Sequence, residues 1–262
     1  MKLVCITKPV PDGVSSDQEP QVPIRDTPAA RLHPDDASAI GFALEIKRHR
    51  PETQVDVLIL TEKPATALAE DIARVGANRV ILIKNTLYQG SDSLTEARII
   101  ARALEARAYD CILAGSQTVE GGAACLPPQL AELLEINHLP FIRSVEEAAF
   151  SATGAVVETE DGAFVRRYAV DFPAILGLSE RSGYRLPYPR LKEQRRDVSE
   201  RIVALDNRDL KFAPEEVGAA AASSRTVTLH AANRQDRAPE IVDADAMGVE
   251  RVHGFLKQRG IL

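Results

Sequence analysis

The chain has 262 residues, a formal net charge of −6, 45% hydrophobic residues and 27% charged residues. That length predicts one or two domains with ample chain for a buried core, and the composition is ordinary for a soluble globular protein. The acidic balance argues against a dedicated nucleic-acid binder, though not against a local basic patch, and no apolar run approaches the roughly 20 residues of a membrane span.

Lys2 to Thr7 is a nearly continuous apolar run, the pattern of a strand buried on both faces. It reads as a strand rather than a secretory signal, so a cytoplasmic protein is expected. Lys8 to Gly13 forms a loop at its C-terminal end, and residues 14 to 32 are polar and Pro-containing, suiting a short hairpin or an irregular loop. Pro34-Asp35-Asp36 then opens a helix, because Pro fits the first turn and acids suit its positive end. Ala37, Ile40 and Leu44 give that helix an apolar face. The basic run Lys47 to Arg50 reads as a solvated helix end rather than a binding patch.

The alternation continues with a strand at Val55 to Thr61, a helix at Pro64 to Val75 and a strand at Arg79 to Lys84. Ser93-x-x-Glu96 has the spacing of a capping box for the next helix. Asp110 to Ala114 predicts a fourth strand. Next comes the small-residue run Gly115-Ser116-Gln117-Thr118-Val119-Glu120-Gly121-Gly122-Ala123-Ala124, then a helix through Leu134. Small residues let backbone approach a ligand, and a helix N-terminus favours an anion. The run therefore points to a phosphate, or else to a plain strand–helix connection, since neither a Walker A loop nor GxGxxG is present. Strands alternating with helices imply a parallel sheet flanked by helices, with ligands beyond the strands' carboxyl ends.

After His138 the pattern becomes antiparallel: Ser144 to Phe150, Gly154 to Glu160 and Phe164 to Ala169 are predicted strands, and Phe172 to Leu178 is a buried strand that suits a return to the sheet. Beyond Ser179 the rhythm is lost. Residues 213 to 224 read as linker or weak helix, 225 to 230 as a strand, and Asp243 to Arg259 as a last helix. Cys5 and Cys111 lie in apolar strands and read as buried free thiols. With Cys125 and five scattered histidines, they form no metal-ligand spacing and no Ser/His/Asp constellation.

Five blocks, in order, carry a resemblance: KLVCITKPVPD, LHPDDASAIGFALEIKR, ALAEDIARVGANRVILI, GSQTVEGGAACLPPQLAELL and YPRLKEQRRD. Together they resemble the beta subunit family of electron transfer flavoproteins. The resemblance implies a Rossmann-like α/β fold (adenine nucleotide alpha hydrolase-like) over residues 1–180, with an antiparallel hairpin addition. Residues 181–262 would form a partner-recognition loop and an extended C-terminal arm packing on an alpha subunit. It implies an electron carrier rather than an enzyme: a heterodimer whose alpha subunit holds the redox FAD, while this chain buries a structural AMP. Carried over residue by residue, adenine and ribose contacts fall on Ile6, His33, Pro34, Asp35, Asp36 and Leu60. The phosphate falls on Gly115 to Ala124, Cys125 and Leu126. Tyr188, Pro189, Arg190 and Leu191 match the partner-recognition loop, with Leu191 as the exposed anchor for a flavin dehydrogenase; the plainer alternative is a loop residue packed on its own domain. A quinone-linked oxidoreductase is an implied acceptor, with no nucleic acid and no direct membrane insertion.

The chain departs from that family at His33 (Asn in the family), Ser116 (Lys), Glu120 (Asp), the run Gly122 to Cys125 (more polar) and Pro127 (Gly). Fewer side-chain donors face a phosphate, so AMP binds more weakly or another adenine nucleotide takes its place. Electron-bifurcating relatives hold a second FAD there, and that variant stays open. The rival classes are an adenine-nucleotide hydrolase or ligase and a stand-alone nucleotide sensor. Lys8 to Asp12 lacks the loop and the Mg²⁺-holding acids of the first, and the long tail argues against the second.

Overall fold

A computed structural model describes residues 1–11, 30–61, 65–105, 107–117, 123–162, 164–224, 228 and 240–262. The strands are β1 (Lys2–Thr7), β2 (Gln54–Leu60), β3 (Arg79–Ile83), β4 (Cys111–Gly115), β5 (Asn137–Val145), β6 (Gly154–Asp161), β7 (Phe164–Asp171), β8 (Ala174–Leu178) and β9 (Ile202–Leu205). The longer helices are α1 (Pro34–His49), α2 (Thr66–Arg74), α3 (Ser93–Leu104), α4 (Leu126–Leu134) and α5 (Ala246–Gln258). The strands form one nine-stranded sheet in the order β9-β3-β2-β1-β4-β8-β5-β6-β7. Pairing is parallel from β9 to β5 and antiparallel through the β5-β6-β7 addition. Val10–Pro11 and Ala30–Arg31 make a separate two-residue ribbon.

Period-two alternation on doubly buried strands divides the core between the two faces of the sheet. Leu3 and Cys5 of β1 point to one cluster, with Phe42 and Ile46 of α1 and Ile72 of α2. Val4 and Ile6 point to the other, with Ile99 and Ile100 of α3 and Leu130 of α4. Chain order runs outward from β1 through β2 to β3, then jumps back across β1 to β4. This reversal is the switch point, where connections leave β1 and β4 in opposite directions and open a crevice at their carboxyl ends.

Two elements differ from the sequence expectation, and a third takes one of its two expected forms. The antiparallel region starts earlier: β5 is Asn137–Val145, and Glu147–Ala149 is a 3₁₀ turn, so of the expected Ser144 to Phe150 strand only Ser144 and Val145 are extended. Phe150 points into the core, packing edge-on against Phe42 at 5.0 Å. The α3 cap is Asp92, one residue before Ser93; its carboxylate accepts the Thr95 N–H at 2.9 Å, and Glu96 is instead drawn into an ion pair with Lys8. Residues 213–224 are two short helical turns, Pro214–Glu216 and Gly218–Ala221, with Val217 buried in the second cluster. The predicted strand at 225–230 lies outside the described residues, save for residue 228.

The chain beyond residue 181 also contributes to the sheet, since β9 pairs with β3. The segment around Tyr184 lies across α1: Ser38 Oγ donates to the Tyr184 carbonyl at 3.1 Å. The basic end of α1 makes specific bonds to neighbouring elements. Lys47 Nζ donates to Gly76 O and Asn78 Oδ1, each at 2.7 Å, and Arg50 donates to the carbonyls of Phe150 and Glu147. Met1–Val227 forms one compact unit and Thr228–Leu262 a second. In the second unit, α5 is capped by Asp245 and exposes Met247, Val249, Val252 and Phe255. Among the described residues, no helix is long and apolar enough to cross a membrane.

Candidate functional site at the switch point

The site is built around Asp36. Pro34 and the two acids start α1, and the Asp35 N–H donates to Nδ1 of the N-cap His33 at 3.2 Å. That start delivers Asp36 to the gap between β1 and β4, where its carboxylate collects three donors. Thr7 Oγ1 donates at 2.8 Å, Lys8 N at 3.3 Å and Gly115 N at 3.1 Å. One side chain thus ties the ends of both switch-point strands to a helix N-terminus. Burial pushes its carboxyl up to about 6, while the bonds from Thr7, Lys8 and Gly115 pull the other way. Gly115 is required here: a Cβ would stand 2.4 Å from Asp36 Oδ1 and 2.9 Å from Asp36 N.

Above this clip lies a cavity of about 170 Å³. Its walls come from the end of β1 (Ile6, Thr7, Lys8), the start of α3 (Ser93, Glu96) and the turn into α4 (Ala123 to Pro127). Ala124 takes a left-handed φ of 51° in that turn, a conformation that residues with a Cβ adopt at a cost. No side chain caps α4 at Cys125. Pro127 and Pro128 carry no N–H, so amides for an anion are left at Cys125 and Leu126. A narrower cleft of about 10 Å³ adjoins it, lined by Leu60, Thr61, Tyr88 and Ile99. Lys8, Ser91 and Glu96 border both spaces, and Lys8 Nζ meets Glu96 Oε1 at 2.7 Å.

Of the residues singled out in the sequence, Ile6, Asp36, Gly115, Gln117, Ala123, Ala124, Cys125 and Leu126 come together around the larger cavity, and Leu60 lines the adjoining cleft. Thr118, Val119, Glu120, Gly121 and Gly122 lie outside the described residues. Ser116 faces the sheet: its hydroxyl donates to Gly177 O at 2.8 Å and accepts from Phe141 N at 2.9 Å. His33, Pro34 and Asp35 line a different cavity, of about 510 Å³, which has Gln117 in common with the first. In that second wall Asp35 Oδ1 accepts the Glu180 N–H at 2.8 Å. Tyr188 and Leu191 are 93% and 84% exposed, and Leu191 is the first residue of the four-residue helix Leu191–Gln194. Lys8, Ser91, Ser93 and Glu96 were missed as lining residues. The signal for Lys8 and Ser91 was that their loops meet the carboxyl edge of the sheet; Ser93 and Glu96, in the first turn of α3, had none.

Cys5 and Cys111 are buried free thiols, and burial pushes both up. Cys125 is exposed, with Sγ 3.1 Å from Ala123 O. Among the described residues, no group of three or more His, Cys, Asp or Glu side chains is arranged to hold a metal ion.

Order and direction of the strands, with a crevice between β1 and β4, define the class: an α/β chain of the doubly wound, Rossmann-like kind. Within that class the chain belongs to the electron transfer flavoprotein domain family, whose model matches residues 22–206. It is 28% identical over 148 residues to an electron transfer flavoprotein subunit beta of Thermoanaerobacterium thermosaccharolyticum, covering 56% of each chain. It is 30% identical over 167 residues to the caffeyl-CoA reductase–Etf complex subunit CarD of Acetobacterium woodii, covering 62% of this chain and 63% of that one. It is also 30% identical over 153 residues to the acryloyl-CoA reductase electron transfer subunit gamma of Anaerotignum propionicum, covering 56% of this chain and 57% of that one. The chain thus spans a little over half the length of these relatives.

Proposed function

We propose that this chain is the beta-type subunit of a cytoplasmic electron transfer flavoprotein, a carrier rather than an enzyme, holding an adenylate while the redox FAD resides in an alpha subunit. One observation carries the adenylate reading: in a chain of this family, the switch-point cavity joins apolar walls, a helix N-terminus and the Lys8 ammonium at one place. Its donor set suits AMP. Ile6, Ala114 and Leu126 offer apolar surface, Lys8 offers a cation for phosphate, and the Cys125 and Leu126 amides offer N–H groups at the α4 start. The flavin of the alpha subunit supplies the redox chemistry when the two chains assemble. Residues 181–262 then serve the partners, the Leu191 turn meeting a flavin dehydrogenase and the C-terminal arm meeting the alpha subunit. Two relatives bear the names of CoA-thioester reductase complexes, which supports a dehydrogenase of that substrate class.

Co-expression with an FAD-bearing alpha subunit tests the reading. The expected result is a yellow heterodimer that releases AMP on denaturation, identified by mass. FAD released in two equivalents per heterodimer would support the bifurcating arrangement instead. A colourless, unassociated chain that turns over ATP would overturn the carrier reading in favour of a hydrolase or ligase.

A further inference from the structure

The cavity of about 510 Å³ beside the switch point falls within the roughly 300–1,000 Å³ of small-molecule pockets. Four places in the fold wall it: the start of α1 (Asp35), β5 (Phe141), the end of β6 (Glu160) and the exit from β8 (Glu180, Arg181). Asp35 is buried, at 3% exposure. Its Oδ1 accepts the Glu180 N–H at 2.8 Å, whereas its Oδ2 is shielded from solvent and has no hydrogen-bond partner among the described residues. Native folds seldom leave a buried carboxyl oxygen in that condition, because nothing offsets its lost hydration. A donor arriving from the cavity would complete it. The rest of the described wall selects the kind of donor. Asp35, Glu160 and Glu180 set three carboxyl groups against one guanidinium, that of Arg181, which is 72% exposed and pairs with Glu160 at 2.8 Å. His33, whose Nδ1 accepts the Asp35 N–H, adds no charge. Phe141 brings an aromatic ring, 40% exposed, from a backbone at a left-handed φ of 54° whose N–H is bonded to Ser116 Oγ. Such a wall repels an anion, and both its acids and its ring attract a cation.

We propose that this cavity is a guanidinium-binding site, in which a planar cation lies on Phe141 and donates to Asp35 Oδ2, with Glu180 on its outer side. A guanidinium suits the wall better than an ammonium. It is planar and weakly hydrated, so it stacks on the ring and keeps N–H groups for the carboxyl. The site is independent of the adenylate reading, since only Gln117 lines both cavities. Asp35 thereby has two tasks: one oxygen ties the exit of β8 to α1, and the other binds the guest. The guanidinium arrives either on a small molecule or on an arginine of a docked chain.

The test is calorimetric titration of the full chain with N-acetyl-arginine amide and with N-acetyl-citrulline amide, which keeps the shape and N–H donors but not the charge. The arginine probe is expected to bind about tenfold more tightly than the citrulline probe, or better, the scale of a charge-assisted hydrogen bond over a neutral one. Asp35→Asn retains an acceptor for the Glu180 N–H and is expected to weaken the arginine probe about tenfold. Glu180→Gln changes an exposed side chain and is expected to weaken it about two- to threefold, as for an exposed ion pair; it decides the matter if Asp35→Asn fails to fold. Titration of the complex with an alpha subunit identifies the source. Loss of probe binding there assigns the site to an arginine of the docked chain, and retained binding assigns it to a free cation. Equal affinity for the two probes, no binding by the wild type, or binding unchanged by both substitutions while unfolding stays cooperative would overturn the site. Asp35 would then be a structural tie alone, and the adenylate reading would stand untouched.

Discussion

At the scale of single residues, the site depends on one carboxylate buried where three chain segments meet. Asp36 takes its donors from Thr7, Lys8 and Gly115, and burial raises its carboxyl from 3.8 to about 6. The folded protein therefore holds this proton over a pH range where the unfolded chain has released it. Stability from this group is fully present below about pH 4 and is lost as pH rises toward 6. The shift corresponds to roughly 3 kcal/mol, at about 1.4 kcal/mol per pKa unit. Urea denaturation of wild type and Asp36→Asn across pH 4 to 7 measures it. The difference between the two curves should fall by about 2 kcal/mol between pH 4 and 6, and parallel curves would show that Asp36 is ionised throughout. Gly115→Ala probes the same contact sterically. Its Cβ would stand 2.9 Å from the Asp36 backbone nitrogen, an atom that moves only with the start of α1. A loss of about 1–3 kcal/mol is expected, and a neutral result in the same assay would mean that α1 yields easily.

At the scale of elements, Asp92 joins the start of α3 to residues far along the chain. One oxygen accepts from Thr95 N and Oγ1, and the other accepts from Ser224 N and Oγ. Burial acts to raise this carboxyl, but its several donors outweigh burial and lower it to about 2. Asp92→Ala should cost about 1–2 kcal/mol, the range for loss of an N-cap, and should speed amide exchange at Ser224 in the same experiment. Exchange unchanged at Ser224 would show that Ser224 is held by other contacts. Asp92 and Ser93 are both good capping residues, and the sequence alone favoured Ser93 because Glu96 completes a capping box from there. Only the fold reveals that Glu96 has Lys8 as partner. The same limit governs the sheet. Strands β1 to β4 were legible because long apolar runs between strong helices have few other readings. The four residues of β9 were not, since so short a run shows no periodicity, and pairing with β3 is a long-range choice. At the cavity, Gly115, Gln117 and Ala123 to Leu126 belong to a run whose small residues mark it in the sequence. Lys8, Ser91, Ser93 and Glu96 carry no such mark, because loop composition does not say which loops fold over one another.

At the scale of the whole molecule, the buried and exposed apolar residues fall to different tasks. The two core clusters take up the faces of the sheet, yet Tyr188 and Leu191 stand almost fully in solvent. Single exposed leucines are common and need no explanation. Leu191 differs in its setting, being held at the start of a short helix between Arg190 and Lys192, with Arg195 and Arg196 close behind. An apolar tip within a basic rim suits an acidic partner with an apolar pocket: the tip supplies contact area and the rim supplies steering. Truncating the tip and removing the rim should therefore separate. Leu191→Ala should leave unfolding within about 0.5 kcal/mol of wild type, as for other surface positions. If the proposed complex with a flavin dehydrogenase forms, Leu191→Ala should raise its dissociation rate about tenfold or more, the cost of a central anchor. Charge reversal at Arg195 and Arg196 should instead slow association and flatten its dependence on salt. Stopped-flow association at two ionic strengths reads both effects. A Leu191→Ala variant with unchanged dissociation would remove the turn from the interface and leave its exposure as ordinary surface.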